Sequence, residues 1–200
     1  MRRNKYTDLI NFFYEVGSLK FMQRTNNLHM LQEVGSVAEH LQRVTIIAYL
    51  LAKEMGLDSE KAMVMATFHD LPEARTGDAN WHQKEYVTHD DNKAWEAQLA
   101  LMGKGAESTR RLLLEYQERK TQVSQLVKDA DNIEYVLSLK ELALQGNEEA
   151  KRRLKEDIDL NHIYTDTGKR MIRQIVKSKP NAWYQQDRQK THKKYLVGDR

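Results

Sequence analysis

No cysteine occurs among the 200 residues. That absence excludes disulfides, thiolate metal sites and a cysteine nucleophile, and it fits a reducing compartment, so the expected location is cytoplasmic. Breakers of regular structure are few, with two prolines and nine glycines. A chain so poor in them, and rich in Leu, Ala, Glu, Lys and Gln, defaults to helix. No uninterrupted apolar run approaches the roughly 18 residues that a membrane helix needs. The opening MRRNKYTDLINFFYEVGSLKFM has its apolar part broken by Asn11, Glu15 and Lys20, so it does not read as a signal peptide, and no membrane partner is expected. A dominant charge is missing too. The net charge of +3 is too small to imply nucleic acid as a partner. Much of the excess lies in RQKTHKKYLVGDR at the end, which reads as a solvated terminus.

What is present has the balance of a globular chain, 40% hydrophobic and 30% charged, long enough for one domain with a sizeable core. A first helix is expected over about 6–22, with Leu9, Phe12, Phe13, Val16 and Leu19 on one side. Ser36 followed by Glu39 has the form of a capping box, and an apolar pattern runs on to Met55, where Gly56 can end it. Asp58 or Ser59 caps a further helix through His69, stopped by Pro72. The stretch ARTGDANWHQKEYVTHDD has no period and reads as a loop. Helices resume over about 93–101, 107–119, 122–145, 148–155 and 167–177, joined by GKGAES and QGNEEA. Nothing alternates in the manner of a strand. The expected fold is all-α, a single-domain multi-helix bundle.

The segment MATFHDLPEARTGD ends an apolar helix on adjacent imidazole and carboxylate groups, then adds Glu73 and Asp78. His40 lies one turn into the capped helix, on the side of Val37, Val44 and Ile47, which points it inward. In LVKDADNIEYVL, Asp129 and Asp131 fall inside an otherwise apolar helix, where a carboxylate is costly to bury unless paired or bound to a cation. Each feature has a plainer interpretation. His40 can be a hydrogen-bonded core histidine, the HD pair a helix-end charge or turn, and Asp131 the partner of Lys128. Together, two His and two Asp on three helices make a mixed nitrogen and oxygen shell with positions left open for water and substrate.

With its H…HD…D order the chain resembles the HD-domain superfamily of metal-dependent phosphohydrolases. It is most similar to the branch of the bacterial 5′-deoxyribonucleotidases and their eukaryotic HD-domain relatives. SVAEHLQRV matches the segment of the first ligand, HDLPEARTGD the HDxxExxTGD segment, KDAD the KxAD segment and LKFMQR the LKxxxR segment. The matches run in the family's order from Leu19 to Asp131. The resemblance implies an HD phosphohydrolase domain over 1–180, with its metal-site core over about 19–145 and a tail over 181–200. The implied metal ligands are His40, His69, Asp70 and Asp131, holding one divalent ion: Mn, Co, Zn, Fe, Ni or Mg. Glu73 and Asp78 become the catalytic carboxylates and Arg24 the phosphate-binding group. The ion would polarise a phosphoryl oxygen and acidify water, and Arg24 can grip a phosphate bidentately. The implied activity is phosphomonoester hydrolysis of nucleoside or deoxynucleoside 5′-monophosphates. The alternatives are a nucleotide-binding regulator with little turnover and a hydrolase of another small phosphate. A homodimer is expected, as is common in this branch.

Two departures stand out. The bacterial deoxynucleotidases carry tryptophan after the arginine of LKxxxR, beside the sugar, whereas this chain has Thr25, so strict deoxyribose preference does not carry over. The segment ANWHQKEY replaces a proline-containing loop seen in many relatives. His82 and His89 fall in the same loop and are expected to be solvated rather than ligands of a second ion. Trp95 and the tyrosines are expected to pack in the core or a dimer contact.

Overall fold

A computed structural model describes residues 4–32 and 35–196. The helices in chain order are α1 Lys5–Ser18, α2 Val37–Glu54, α3 Ser59–Phe68, α4 Glu73–Thr76, α5 Asp91–Leu99, α6 Ala106–Glu118, α7 Gln122–Leu144, α8 Glu148–Glu156, α9 Asp166–Lys177 and α10 Ala182–Leu196. Among the described residues there is no strand, only an isolated antiparallel bridge between Gln23 and Ser36. The all-α bundle expected from the sequence is what forms.

The centre of the bundle is α7, whose Leu126, Val127, Ala130 and Ile133 are sealed from solvent. Val44, Ala48 and Ala52 of α2, Ala62, Met65 and Ala66 of α3, and Ile172 and Ile175 of α9 close around it. A smaller apolar group joins Phe12 of α1 to Leu19, Val37, Leu41 and Leu71. These two groups flank the place where α2, α3 and α7 meet. Burial of this kind contributes about 25 cal/mol for each Å² of apolar surface.

Local signals fixed most helix starts. Ser36 and Glu39 form the expected capping box, with Glu39 N donating to Ser36 Oγ at 3.2 Å and Ser36 N donating to Glu39 Oε2 at 2.6 Å. Asp58 caps α3 by accepting from Lys61 N at 2.9 Å. Three departures are informative. The first helix ends at Ser18, and its expected last turn tightens into a 3₁₀ turn over Leu19–Phe21. The loop after His69 contains the single turn α4 and a 3₁₀ turn at Gln83–Glu85. The segment read as a tail is helical through α10. Its Gln, Lys and Arg residues favour helix by propensity without giving an apolar period.

Two contacts set α4 in place. Arg75 of α4 grips Glu15 of α1 with two parallel bonds, Nε to Oε1 at 2.5 Å and Nη2 to Oε2 at 2.7 Å. Gln98 of α5 then donates to both Glu15 Oε1 and the Leu71 carbonyl, each at 2.8 Å. Gly77 follows α4 at φ 79°, a left-handed backbone that only glycine adopts readily, and turns the chain so that Asp78 faces back to the bundle.

Candidate metal centre

α2 brings His40 to the junction from one side, buried as its spacing required. α3 ends at Phe68, so His69 is its C-cap and Asp70 begins the turn beyond it. That helix end lets consecutive side chains curve toward one point, which the interior of a helix, with about 100° between neighbours, does not allow. α7 supplies Asp131 from the third side. Atoms of His40, His69 and Asp131 lie within 4.8 Å of one another. Asp70 Oδ2 is 3.5 Å from His40 Nε2 and 3.3 Å from His69 Nε2, and Asp131 Oδ1 is 3.3 Å from His40 Nε2.

The outer nitrogen of each imidazole is anchored. His40 Nδ1 meets Glu134 Oε2 at 2.6 Å, and His69 Nδ1 meets the Ala66 carbonyl at 2.7 Å. The inner atoms, Nε2 of both rings, are buried with no hydrogen-bond partner. Buried polar nitrogens left without a partner are costly. Two imidazole nitrogens and two carboxylates fit a divalent cation.

The protonation of the site points the same way. Burial opposes a charge on His40, yet the carboxylates of Asp131, Asp70 and Glu134 gathered around its ring prevail and push its pKa up to about 11. Burial likewise works against ionised Asp131, but Lys128 and the imidazoles hold it well below the usual carboxylate range. The Lys128 ammonium lies 2.6 Å from Asp131 Oδ2, so the plainer pairing foreseen from the sequence exists alongside the histidine contact. These carboxylates demand positive charge at the centre.

Arg24 reaches the rim of the cluster from the loop after α1. Its Nη1 stands 3.2 Å from Asp78 Oδ2, 3.6 Å from Asp70 Oδ2 and 3.8 Å from Glu73 Oε2. Asp78 also accepts from Thr25 N at 2.9 Å, tying the segment of Arg24 to the turn after Gly77. Glu73 Oε2 is buried with no hydrogen-bond partner. Burial, then the Asp70 and Asp78 carboxylates, pushes the pKa of Glu73 up to about 9. A cavity of about 400 Å³ opens beside Arg24 and His40 and is walled by Arg43, Tyr135, Ser138 and Gln145.

The sequence pattern of the HD domain matches residues 16–177. The chain belongs to the HD-domain family. A Dictyostelium discoideum HD-domain relative named 5′-deoxynucleotidase HDDC2 is 28% identical over 184 residues, covering 86% of this chain and 94% of the relative. A Schizosaccharomyces pombe protein named 5′-deoxynucleotidase hdd1 is 25% identical over 186 residues, covering 88% and 89%. Among solved structures, a conserved hypothetical protein from Pyrococcus furiosus is 30% identical with a TM-score of 0.65, covering 84% of this chain and 98% of its own.

All seven residues singled out from the sequence therefore meet in one region of the HD domain. His82 and His89 do not join the cluster. His82 is exposed, packed edge-on against Trp81 and Tyr86. Trp95 is buried as expected, whereas Trp81, Trp183 and several tyrosines are exposed. Sequence reasoning missed Glu134 and Arg43. The available signal was spacing: Glu134 follows Asp131 by one helical turn and Arg43 follows His40 by one.

Proposed function

We propose that this HD-domain chain is a divalent-metal-dependent phosphomonoesterase that removes phosphate from nucleoside and deoxynucleoside 5′-monophosphates. The observation that carries it is the pair of buried imidazole nitrogens, His40 Nε2 and His69 Nε2, without hydrogen-bond partners between two carboxylates. The names of the relatives supply the substrate class.

His40, His69, Asp70 and Asp131 would hold the ion. Such an ion supplies electrophilic polarisation of a phosphoryl oxygen and lowers the pKa of water. Mixed imidazole and carboxylate donors suit Mn, Co, Fe, Ni or Zn better than Mg. Arg24 binds the phosphate and, braced by Asp78, sets phosphorus for in-line attack. Glu73 sits beside Asp70 on the substrate side of the loop and accepts the proton of the attacking water. Water oxygen bonds to phosphorus, the bond from phosphorus to O5′ breaks, and the proton taken up by Glu73 is passed on to O5′, which leaves as the nucleoside alcohol. Thr25 leaves more room beside the sugar than the tryptophan of the bacterial branch, so ribose and deoxyribose are both accepted.

The protein is read as a cytoplasmic homodimer. An apolar groove of about 570 Å³ between α1, α2 and α3, bordered by exposed Phe13 and Ile46, supports self-association. No helix among the described residues is long and apolar enough to cross a membrane.

The test uses the full-length chain, stripped of metal and reloaded with Mn²⁺ or Co²⁺, against a panel of ribo- and deoxyribonucleoside 5′-monophosphates. Phosphate release that Asp70→Ala abolishes supports the assignment. Binding of nucleotide without turnover under every metal tried would favour a regulatory protein instead.

A further inference from the structure

We propose that Glu134 is a positioning residue of this centre, holding His40 so that Nε2 faces Asp70 and Asp131 with its lone pair free for a cation. This rests on the metal-dependent function above and extends it to a residue outside the ligand set.

A neutral imidazole donates from one nitrogen only, and an ionised carboxylate only accepts. In the neutral form that a cation requires, the 2.6 Å bond between His40 Nδ1 and Glu134 Oε2 keeps the proton on Nδ1 and makes Nε2 the acceptor. His69 is oriented in the same sense, but by the neutral Ala66 carbonyl at 2.7 Å. His40 alone of the two leans on a charge.

Glu134 is itself held on every side. Its other oxygen, Oε1, accepts from Arg43 Nε at 3.1 Å, Arg43 Nη2 at 2.7 Å and Ser138 Oγ at 2.9 Å. Arg43 Nη1 continues outward to Glu141 Oε1 at 2.7 Å. Glu134, Ser138 and Glu141 form one stripe along α7, and His40 and Arg43 lie one turn apart on α2. The carboxylate cannot turn from His40 without breaking this set. A buried ion pair adds little net stability compared with apolar residues of the same volume. Orientation explains it better, because a carboxylate on the outer nitrogen of a ligand histidine fixes ring and tautomer and raises its basicity.

The test is calorimetric titration of the metal-free, full-length chain with Mn²⁺ at one pH, with circular dichroism of the metal-free protein and the visible spectrum of the Co²⁺ form. Wild type takes up one ion. Glu134→Gln keeps its helical signal but binds about tenfold or more weakly, with an altered Co²⁺ spectrum. Glu141→Gln, which removes only the outer partner of Arg43, binds like wild type. Wild-type affinity in Glu134→Gln overturns the proposal. If that variant does not fold, Arg43→Ala replaces it, with a several-fold loss expected and unchanged affinity again overturning the role. A wild-type chain that binds no divalent ion would overturn the metal-dependent function itself, and this inference with it.

Discussion

Asp129 and Asp131 lie two residues apart in α7 and serve opposite sides of the bundle. Asp131 faces His40 at the candidate centre, 3.3 Å away. Asp129 turns to the far side, where it accepts from Tyr164 N and Thr165 N at 2.8 Å each and from Thr165 Oγ1 at 2.7 Å. Those bonds fix the entry to α9. The fit is close enough that a Cβ on Gly168 would stand 2.6 Å from Asp129 Oδ2.

The two aspartates should therefore fail in different ways. Asp129→Ala leaves three part-buried donors unpaired and should cost about 2 kcal/mol, or roughly 6 °C in melting temperature. It should keep its metal-induced stabilisation. Asp131→Ala should melt close to the wild-type metal-free value and lose most of the shift that Mn²⁺ gives. Thermal melts with and without Mn²⁺ read both outcomes, and a shared phenotype would sink the division of labour.

Cation and protons should compete for the centre. Without an ion, His40 has its pKa pushed up to about 11 and Glu73 to about 9, so both hold protons at neutral pH. Binding a divalent ion expels them, so affinity must rise with pH, by about tenfold per unit for each proton displaced. Calorimetry in two buffers of different ionisation enthalpy counts the protons released. A dissociation constant that stays flat between about pH 6 and pH 8 would contradict protonated His40 and Glu73 in the metal-free protein.

The brace beneath α4 carries a stability prediction with a definite sign. The two-pronged bond from Arg75 lowers the pKa of Glu15, with Gln98 helping and burial opposing. A depressed carboxyl stabilises the fold above its unfolded pKa and stops doing so as pH falls through the folded value. Glu15→Gln should thus cost about 1 kcal/mol at pH 7, and the difference from wild type should vanish as pH falls below about 4. Urea unfolding at several pH values measures it. Because α4 carries Glu73, the same substitution should lower kcat by a few-fold while leaving Mn²⁺ affinity unchanged.

How much of this was legible beforehand depends on what each residue contacts. The Ser36 and Glu39 cap and the end of α2 at Gly56 are local, so sequence spacing sufficed. His40, His69, Asp70 and Asp131 are dispersed, and only their family order announced that they would meet. Asp129 looked like a companion of Asp131 because a linear pattern does not say which side of a buried helix is occupied. Glu134 and Arg43 were silent for a related reason: charged residues near a helix surface normally mean solvent, and only the close approach of α2 to α7 turned them inward. The helical tail was missed because propensity without an apolar stripe leaves no period to read.

Arg24 offers the sharpest separation of substrate binding from metal binding. Its guanidinium is mostly buried, yet of the three carboxylates facing it only Asp78 Oδ2, at 3.2 Å, is within hydrogen-bond reach; Asp70 and Glu73 stand at 3.6 and 3.8 Å. Donors held loosely among carboxylates are available to a phosphate that brings better-placed oxygens. Arg24→Lys keeps the charge and loses the planar fork, so kcat/KM for a nucleoside monophosphate should fall by about a hundredfold, with KM raised. The effect on the ion runs the other way. Arg24→Ala removes a positive charge close to Asp70, so Mn²⁺ affinity should hold or increase while phosphate release collapses. Loss of both together would mean that Arg24 shapes the ligand cluster rather than the substrate site.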